Sequence, residues 1–237
     1  MVGRIMMIAL IGFILMASSC AQETSGEEQE GTSKKEEEAL EKELTFEEYV
    51  ALLKQLEPCM PIEGSHFTSF EGQLPNAPRA YRNGYHEGFD FYDGFCGVKI
   101  EEGTPVVAIA SGSVVRLDTV YEEIDPRERE KLLAEAKELG GTPESTQDKL
   151  RGRQVWVDHG NGIVTRYCHL SGVVSDLPRN LAGGLVIGYV GGSGTKSKTP
   201  HLHFEVRFGD SFFGKDMAPK EIRKLAVGIF GGEEGSP

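Results

Sequence analysis

The chain has 237 residues, 39% of them apolar and 26% charged, which allows one substantial globular domain with appendages. A formal net charge of −12 argues against a nucleic-acid partner, since phosphate binding needs a basic stripe. Much of that acid lies between Glu23 and Glu48, so the folded part is less acidic than the whole.

In chain order, Arg4 precedes an apolar run, Ile5–Met16, broken only by Gly12, and Ala17, Ser18 and Ser19 then lead to Cys20. The run is too short to span a bilayer comfortably and reads as the core of a leader over residues 1–20. The ending "ASSC" resembles the lipobox of bacterial lipoproteins, with Ala17 where leucine is usual. That resemblance implies a lipidated Cys20 as the mature N-terminus, with plain secretion as the alternative. Either reading expects an extracytoplasmic protein. The first adds an anchor in the cell membrane or outer membrane, facing the periplasm or cell wall.

Residues 21–44 are acidic and poor in apolar side chains, the composition of a disordered tether. Thr45 and Glu48 then form a capping box, and Phe46, Tyr49, Val50, Leu53 and Leu56 follow at helical spacing until Pro58. Residues 45–60 are therefore expected to form a helical segment that packs on the main domain. From Gly64 onward glycine, β-branched and aromatic residues dominate. Strands are expected at 105–110, 112–117, 154–158, 163–169, 185–190 and 201–208, with a hairpin at Asn161-Gly162.

One excursion, at about 121–150, interrupts the strands. Asp125, Pro126 and Glu128 signal a helix start, Leu132, Leu133, Ala136 and Leu139 give it an apolar face, and Gly140-Gly141 end it. Its position between two core strands makes it a candidate wall for a substrate groove. An extracytoplasmic compartment permits disulfides. Beyond Cys20 the cysteines are Cys59, Cys96 and Cys168, and three cannot all pair within one chain. Cys168 lies in the strand-like "RYCHL" and reads as a buried thiol, which leaves Cys59–Cys96 as the candidate bridge.

Three places carry titratable chemistry: "YHEGFD" with His86 and Asp90, "RYCHL" with His169, and "TPHLHFEVRF" with His201 and His203 on one face of an expected strand. A catalytic zinc takes three protein ligands, from imidazole nitrogen and carboxylate oxygen, and keeps an open position. Four histidines and one aspartate exceed that number by two, and the surplus suits proton transfer or oxyanion stabilisation. Residue types alone leave open which imidazoles bind metal. His66 carries no signal, and His159, ahead of "GNG", reads as a turn residue. Tyr167 shares an expected strand face with His169, which makes it a candidate substrate contact or, more simply, a packed aromatic.

"HEGFD", "RYCHL" and "PHLHFEV" resemble the H-x(3)-D, Y-x-H-L and H-x-H motifs of the M23 zinc endopeptidases, the LytM or lysostaphin type. The likeness runs from Asn83 to Val206 and includes "GTPVVAIASGSVV", "VDHGNGIVTRYCHLS" and "GYVGGSGTKSKTPHLHFEV". It implies a mainly β fold, a two-sheet sandwich or barrel-like domain over 61–226, with an N-terminal helix, one helical insertion and a flexible tail at 227–237. It further implies one zinc ion held by His86, Asp90 and His203, with His169 and His201 catalytic. The implied activity is that of a zinc metalloendopeptidase on peptidoglycan crosslinks or stem peptides. The alternative is a non-catalytic LytM-like regulator that activates other cell-wall hydrolases. Such relatives have lost metal ligands, whereas the set here is intact.

Overall fold

A computed structural model of the chain describes residues 44–231. The expected leader with Cys20, the tether as far as residue 43 and the tail beyond 231 lie outside the described residues.

Helix α1 (Phe46–Gln55) starts at the expected capping box: Thr45 accepts from the Glu48 amide, and the Glu48 carboxylate accepts from the Thr45 amide. Its apolar stripe docks on the domain. Leu53 is fully buried, and Tyr49 stacks on Phe208 with ring centroids 4.9 Å apart.

Twelve strands follow: β1 (Pro78–Arg79), β2 (Gly84–Tyr85), β3 (Phe89–Tyr92), β4 (Pro105–Val107), β5 (Gly112–Leu117), β6 (Val155–Asp158), β7 (Ile163–Cys168), β8 (Gly172–Val173), β9 (Asn180–Leu181), β10 (Val186–Tyr189), β11 (His201–Phe208) and β12 (Ser211–Phe212). The main sheet runs β12-β11-β7-β6-β5-β9, with β3 also paired to β11. A second sheet is β4-β10-β8, and β1 pairs β2 in a ribbon. All pairings are antiparallel, and no sheet closes into a barrel among the described residues. The fold is mainly β, and of the two expected forms the open sandwich is the one observed. Val106 and Ile187 of the smaller sheet share one apolar cluster with Val155, Tyr167 and Phe204 of the larger. The β6–β7 turn carries Asn161 and Gly162 at φ 52° and 74°, the left-handed conformation that this residue pair tolerates.

The excursion leaves the sheet after β5 and returns at β6, its hydrogen-bonded neighbour. Helix α2 (Pro126–Glu138) is capped by Asp125, whose side chain accepts from the Arg127 and Glu128 amides. A second helix, α3 (Glu144–Leu150), follows. Its sequence, ESTQDKL, has no apolar stripe and gave no periodic signal.

Two expectations are corrected by the described residues. The tail does not begin at 227, because helix α4 (Pro219–Phe230) buries Ile222, Ala226 and Phe230, and the Phe230 ring meets Phe67 edge-on at 5.4 Å. Cys59 and Cys96 do not form a bridge. Both are free thiols, as is Cys168. Cys96 sits fully inside the core, whereas Cys59 is exposed with its sulfur toward the Ala108 carbonyl.

Candidate metal centre

Register brings the distant motifs together. Strand β11 lies between β3 and β7, opposing His203 to Asp90 and His201 to Tyr92 on one side and His203 to Cys168 on the other. Directly opposed residues are cross-strand neighbours, so Asp90 and His203 meet although 113 positions separate them. Gly88 permits the approach: a Cβ there would come within 2.4 Å of the Phe204 carbonyl oxygen.

Three ligand atoms converge. His86 Nε2 is 2.9 Å from Asp90 Oδ1 and 2.9 Å from His203 Nδ1, and His203 Nδ1 is 2.8 Å from Asp90 Oδ1. All three residues are buried. The outer hydrogen bonds set the tautomers. His86 Nδ1 donates to the Leu74 carbonyl and His203 Nε2 donates to Glu205, each at 2.9 Å. Both imidazoles therefore aim a lone pair inward, beside a carboxylate oxygen. Three acceptors at such distances repel unless a cation or a proton lies among them. The donor set fits a divalent metal that takes nitrogen and oxygen ligands.

Electrostatics divide the trio: burial lowers His203, but Asp90 and Glu205 outweigh it and raise the ring above its ordinary value, so a proton can sit among these atoms where no ion does. Burial pushes His86 down to about 4. Burial would raise the Asp90 carboxyl, but the adjoining His86 and His203 rings hold it well below the usual carboxylate range. Arg79 pairs with the other Asp90 oxygen at 3.3 Å.

His169 and His201 stand beside this trio, their ring centroids 4.7 Å apart and His169 5.6 Å from His203. They share one pattern. His169 Nδ1 donates to the Ser193 carbonyl and His201 Nδ1 to the Thr199 carbonyl, each at 2.9 Å, leaving each Nε2 as an unprotonated acceptor. Burial, with neighbouring imidazoles, holds His169 well below its ordinary value, and burial lowers His201 as well. Both rings are neutral bases at pH 7. His169 lies in the left-handed backbone region at φ 64°, just past the end of β7.

That reversal decides between the two readings of Tyr167 in favour of the packed aromatic. Beyond Cys168 strand alternation stops, so Tyr167 and His169 do not share a face. Tyr167 is fully buried, and its hydroxyl accepts from the Ile109 amide at 2.9 Å and lies 3.2 Å from Thr165 Oγ1. It touches no groove. His159 Nδ1 donates to the Ser111 carbonyl and its Nε2 accepts from Thr165 Oγ1, so it braces the β6–β7 end as a structural residue.

All five candidate residues line one cavity of about 1090 Å³. Arg129, Glu130, Leu133, Ala134 and Lys137 of α2 form one wall, and Arg79 and Tyr81 of the hairpin ahead of His86 form another. Sequence reasoning missed Glu205, Tyr92, Arg79 and Arg151. Two of these were legible by alternation, because Glu205 shares a strand face with His201 and His203, and Tyr92 shares one with Asp90.

Compared with known proteins, residues 136–215 match the family described as Peptidase family M23. Over 56 residues the chain is 48% identical to the DD-carboxypeptidase/endopeptidase Mpg of Neisseria meningitidis, a match covering 24% of this chain and 13% of that protein. The Neisseria gonorrhoeae protein of the same name gives the same figures. Among solved structures, the antimicrobial peptidase lysostaphin from Staphylococcus simulans is 20% identical, covering 74% of this chain and 58% of that one at a TM-score of 0.42. A zinc-containing peptidase from Vibrio cholerae is 18% identical, covering 65% and 36% at a TM-score of 0.39. The M23 match holds His169, His201 and His203. His86 and Asp90 lie upstream of it, and the β3–β11 register brings them against β11.

Proposed function

We propose that the chain is a zinc metalloendopeptidase acting on peptide bonds of peptidoglycan crosslinks or stem peptides. One observation carries this reading: His86 Nε2, His203 Nδ1 and Asp90 Oδ1, a metal-ligand donor set, converge within 2.9 Å of one another. Those atoms would hold the ion. Zinc at such a site lowers the pKa of a water to about 7 and polarises a carbonyl oxygen. His169 and His201 present neutral Nε2 atoms beside it. One would take the proton of the attacking water on its Nε2 and pass that same proton to the departing amine, while the other orients the water or substrate through its own Nε2. The cavity of about 1090 Å³, walled on one side by α2, has room for a peptide segment rather than a single residue.

The test is hydrolysis by the purified full-length chain. Purified sacculi should be cleared, with muropeptide mass spectrometry naming the cleaved bond. Chelation should stop the reaction and added zinc restore it. His203→Ala should lose both zinc and activity while keeping a native circular dichroism spectrum. Full activity in that variant would overturn the assignment.

The run Ile5–Met16 and the ending Ser19-Cys20 support a site of action outside the cytoplasm, with the lipid carried on Cys20. Metabolic labelling with an alkyne fatty acid should mark the wild type and not Cys20→Ala. Equal labelling of the two would remove Cys20 as the attachment point.

A further inference from the structure

Arg151 caps the C-terminus of α3, at the end of the insertion. Its side chain is 3% exposed, and that of Glu205, its partner, is 1% exposed. Arg151 Nε donates to Glu205 Oε1 at 2.7 Å and Nη2 to Oε2 at 3.3 Å, a two-pronged bond with little rotational freedom. Nη1 donates to Glu144 at 2.9 Å, and Nη2, shared with Glu205, donates also to Glu87 at 3.2 Å. Glu205 Oε1 is the same oxygen that accepts the His203 Nε2 proton. The backbone carbonyl of Arg151, for its part, accepts from the His169 amide at 2.9 Å. One residue of the insertion therefore reaches both working histidines, through its guanidinium and through its main chain.

Elsewhere the insertion also grips the loop ahead of β11. Glu123 accepts from the Gly194 amide at 2.9 Å and pairs with Lys198 at 2.6 Å, and Arg129 donates to the Gly194 carbonyl. Ser193, next to Gly194, supplies the carbonyl that orients His169. Buried charges of the Arg151–Glu205 kind add little net stability compared with apolar packing, so a role in geometry accounts for them better.

We propose that Arg151 is a positioning residue: through Glu205 it fixes the tautomer and angle of His203, and through its carbonyl it fixes the backbone of His169. The helical insertion is then the frame of the centre as well as a wall of the groove. This rests on the reading of His203 as a zinc ligand.

The test uses the full-length protein and Glu205→Ala, Glu205→Gln, Arg151→Met and Arg151→Lys. Zinc dissociation constants come from chelator competition, ligand geometry from the visible spectrum of the cobalt(II)-loaded protein, and kcat and KM from a muropeptide substrate. Glu205→Ala should weaken zinc binding by about ten- to a hundred-fold, the usual effect of losing an outer partner of a ligating histidine. Glu205→Gln keeps an acceptor for His203 and should recover most of that loss. Arg151→Met should shift the cobalt spectrum and lower kcat with KM little changed, and Arg151→Lys should restore part of both.

Folded Glu205→Ala and Arg151→Met proteins with wild-type zinc affinity, cobalt spectrum and kcat would overturn the proposal. If Glu205→Ala does not fold, the paired variant Arg151→Met with Glu205→Gln leaves neither charge of the pair facing the other's gap. An unchanged cobalt spectrum in that pair would count equally against the idea. The two readings separate through His203→Ala. Zinc retained there sinks the metal site itself, whereas zinc lost there but kept by Glu205→Ala sinks only the positioning role.

Discussion

The ring of His201 lies flat on that of Tyr92, their centroids 4.2 Å apart and their planes 9° from parallel. The two residues face each other across the β3–β11 pair, so backbone register creates the stack and the stack limits rotation of the imidazole. Tyr92→Phe keeps the aromatic face and should keep kcat. Tyr92→Ala frees the ring and should lower kcat by about ten-fold, part of the 10²–10⁴ that a positioned acid–base group supplies. Zinc affinity should not move, because Tyr92 touches none of the three converging atoms. Steady-state kinetics with parallel zinc titration check this, and equal kcat in Phe and Ala variants would discount the stack.

Tyr167 belongs to the core, and its replacement should affect stability alone. Tyr167→Phe strips the acceptor from the buried Ile109 amide, at a cost of about 1–3 kcal/mol. Urea denaturation measures that loss. Hydrolysis and zinc binding should stay within two-fold of wild type, and a selective fall in activity would return Tyr167 to the groove.

His159 should make the domain sensitive to mild acid. Burial lowers its folded value below the ordinary 6.5. Between about pH 6.5 and that lower value the unfolded chain binds the proton and the folded chain does not. The unfolded state is therefore favoured as pH falls through this window, while at pH 8 both states are neutral and the term vanishes. His159→Gln should be somewhat less stable than wild type at pH 8, yet lose less stability between pH 7.5 and 5.5. Urea midpoints at the two pH values decide it, and parallel losses in the two proteins would refute the assignment.

The thiols should report their separate surroundings. Burial pushes the Cys96 thiol up to about 12 and that of Cys168 well above the ordinary value, so neither forms a thiolate near neutrality. Among residues 44–231, iodoacetamide should label Cys59 in the native protein, and the other two only in denaturant. Peptide mapping locates the label, and the melting temperature should not depend on reductant. A peptide pair joined through Cys59 and Cys96 would contradict the structure.

Strong local patterns were legible in advance. The strands 112–117 and 201–208 coincide with β5 and β11, and the capping box of α1 and the Asp125–Pro126 start of α2 formed where their residue types belong. Less visible were features set by tertiary contact. Helix α3 lacks an apolar stripe because its neighbours bury Thr146 and Gln147 along with Leu150. The pairing of β3 with β11 joins segments more than a hundred residues apart, and no local signal encodes that register. For the site, the H-x-H pair, the H-x(3)-D spacing and the Y-x-H-L motif located five side chains but not their supports. Arg151 comes from a loop with no motif, and its role depends on where α3 ends. Tyr167 is the packed aromatic the sequence offered as the simpler reading, and only its shared face with His169 failed, because alternation stops where β7 ends.

That stopping point also bears on how the site should be probed. At φ 64°, His169 occupies backbone territory that side chains with a Cβ enter at some cost, asparagine and glycine excepted. Alanine at 169 would remove the imidazole and keep the strain, letting the segment relax and dragging the Ser193 contact and Arg151 carbonyl with it. Asparagine would remove the imidazole while remaining at ease in the same conformation. A chemical null and a conformational null are thus different substitutions at this position, and the gap in rate between them would measure how much of the centre's order is stored in one backbone torsion.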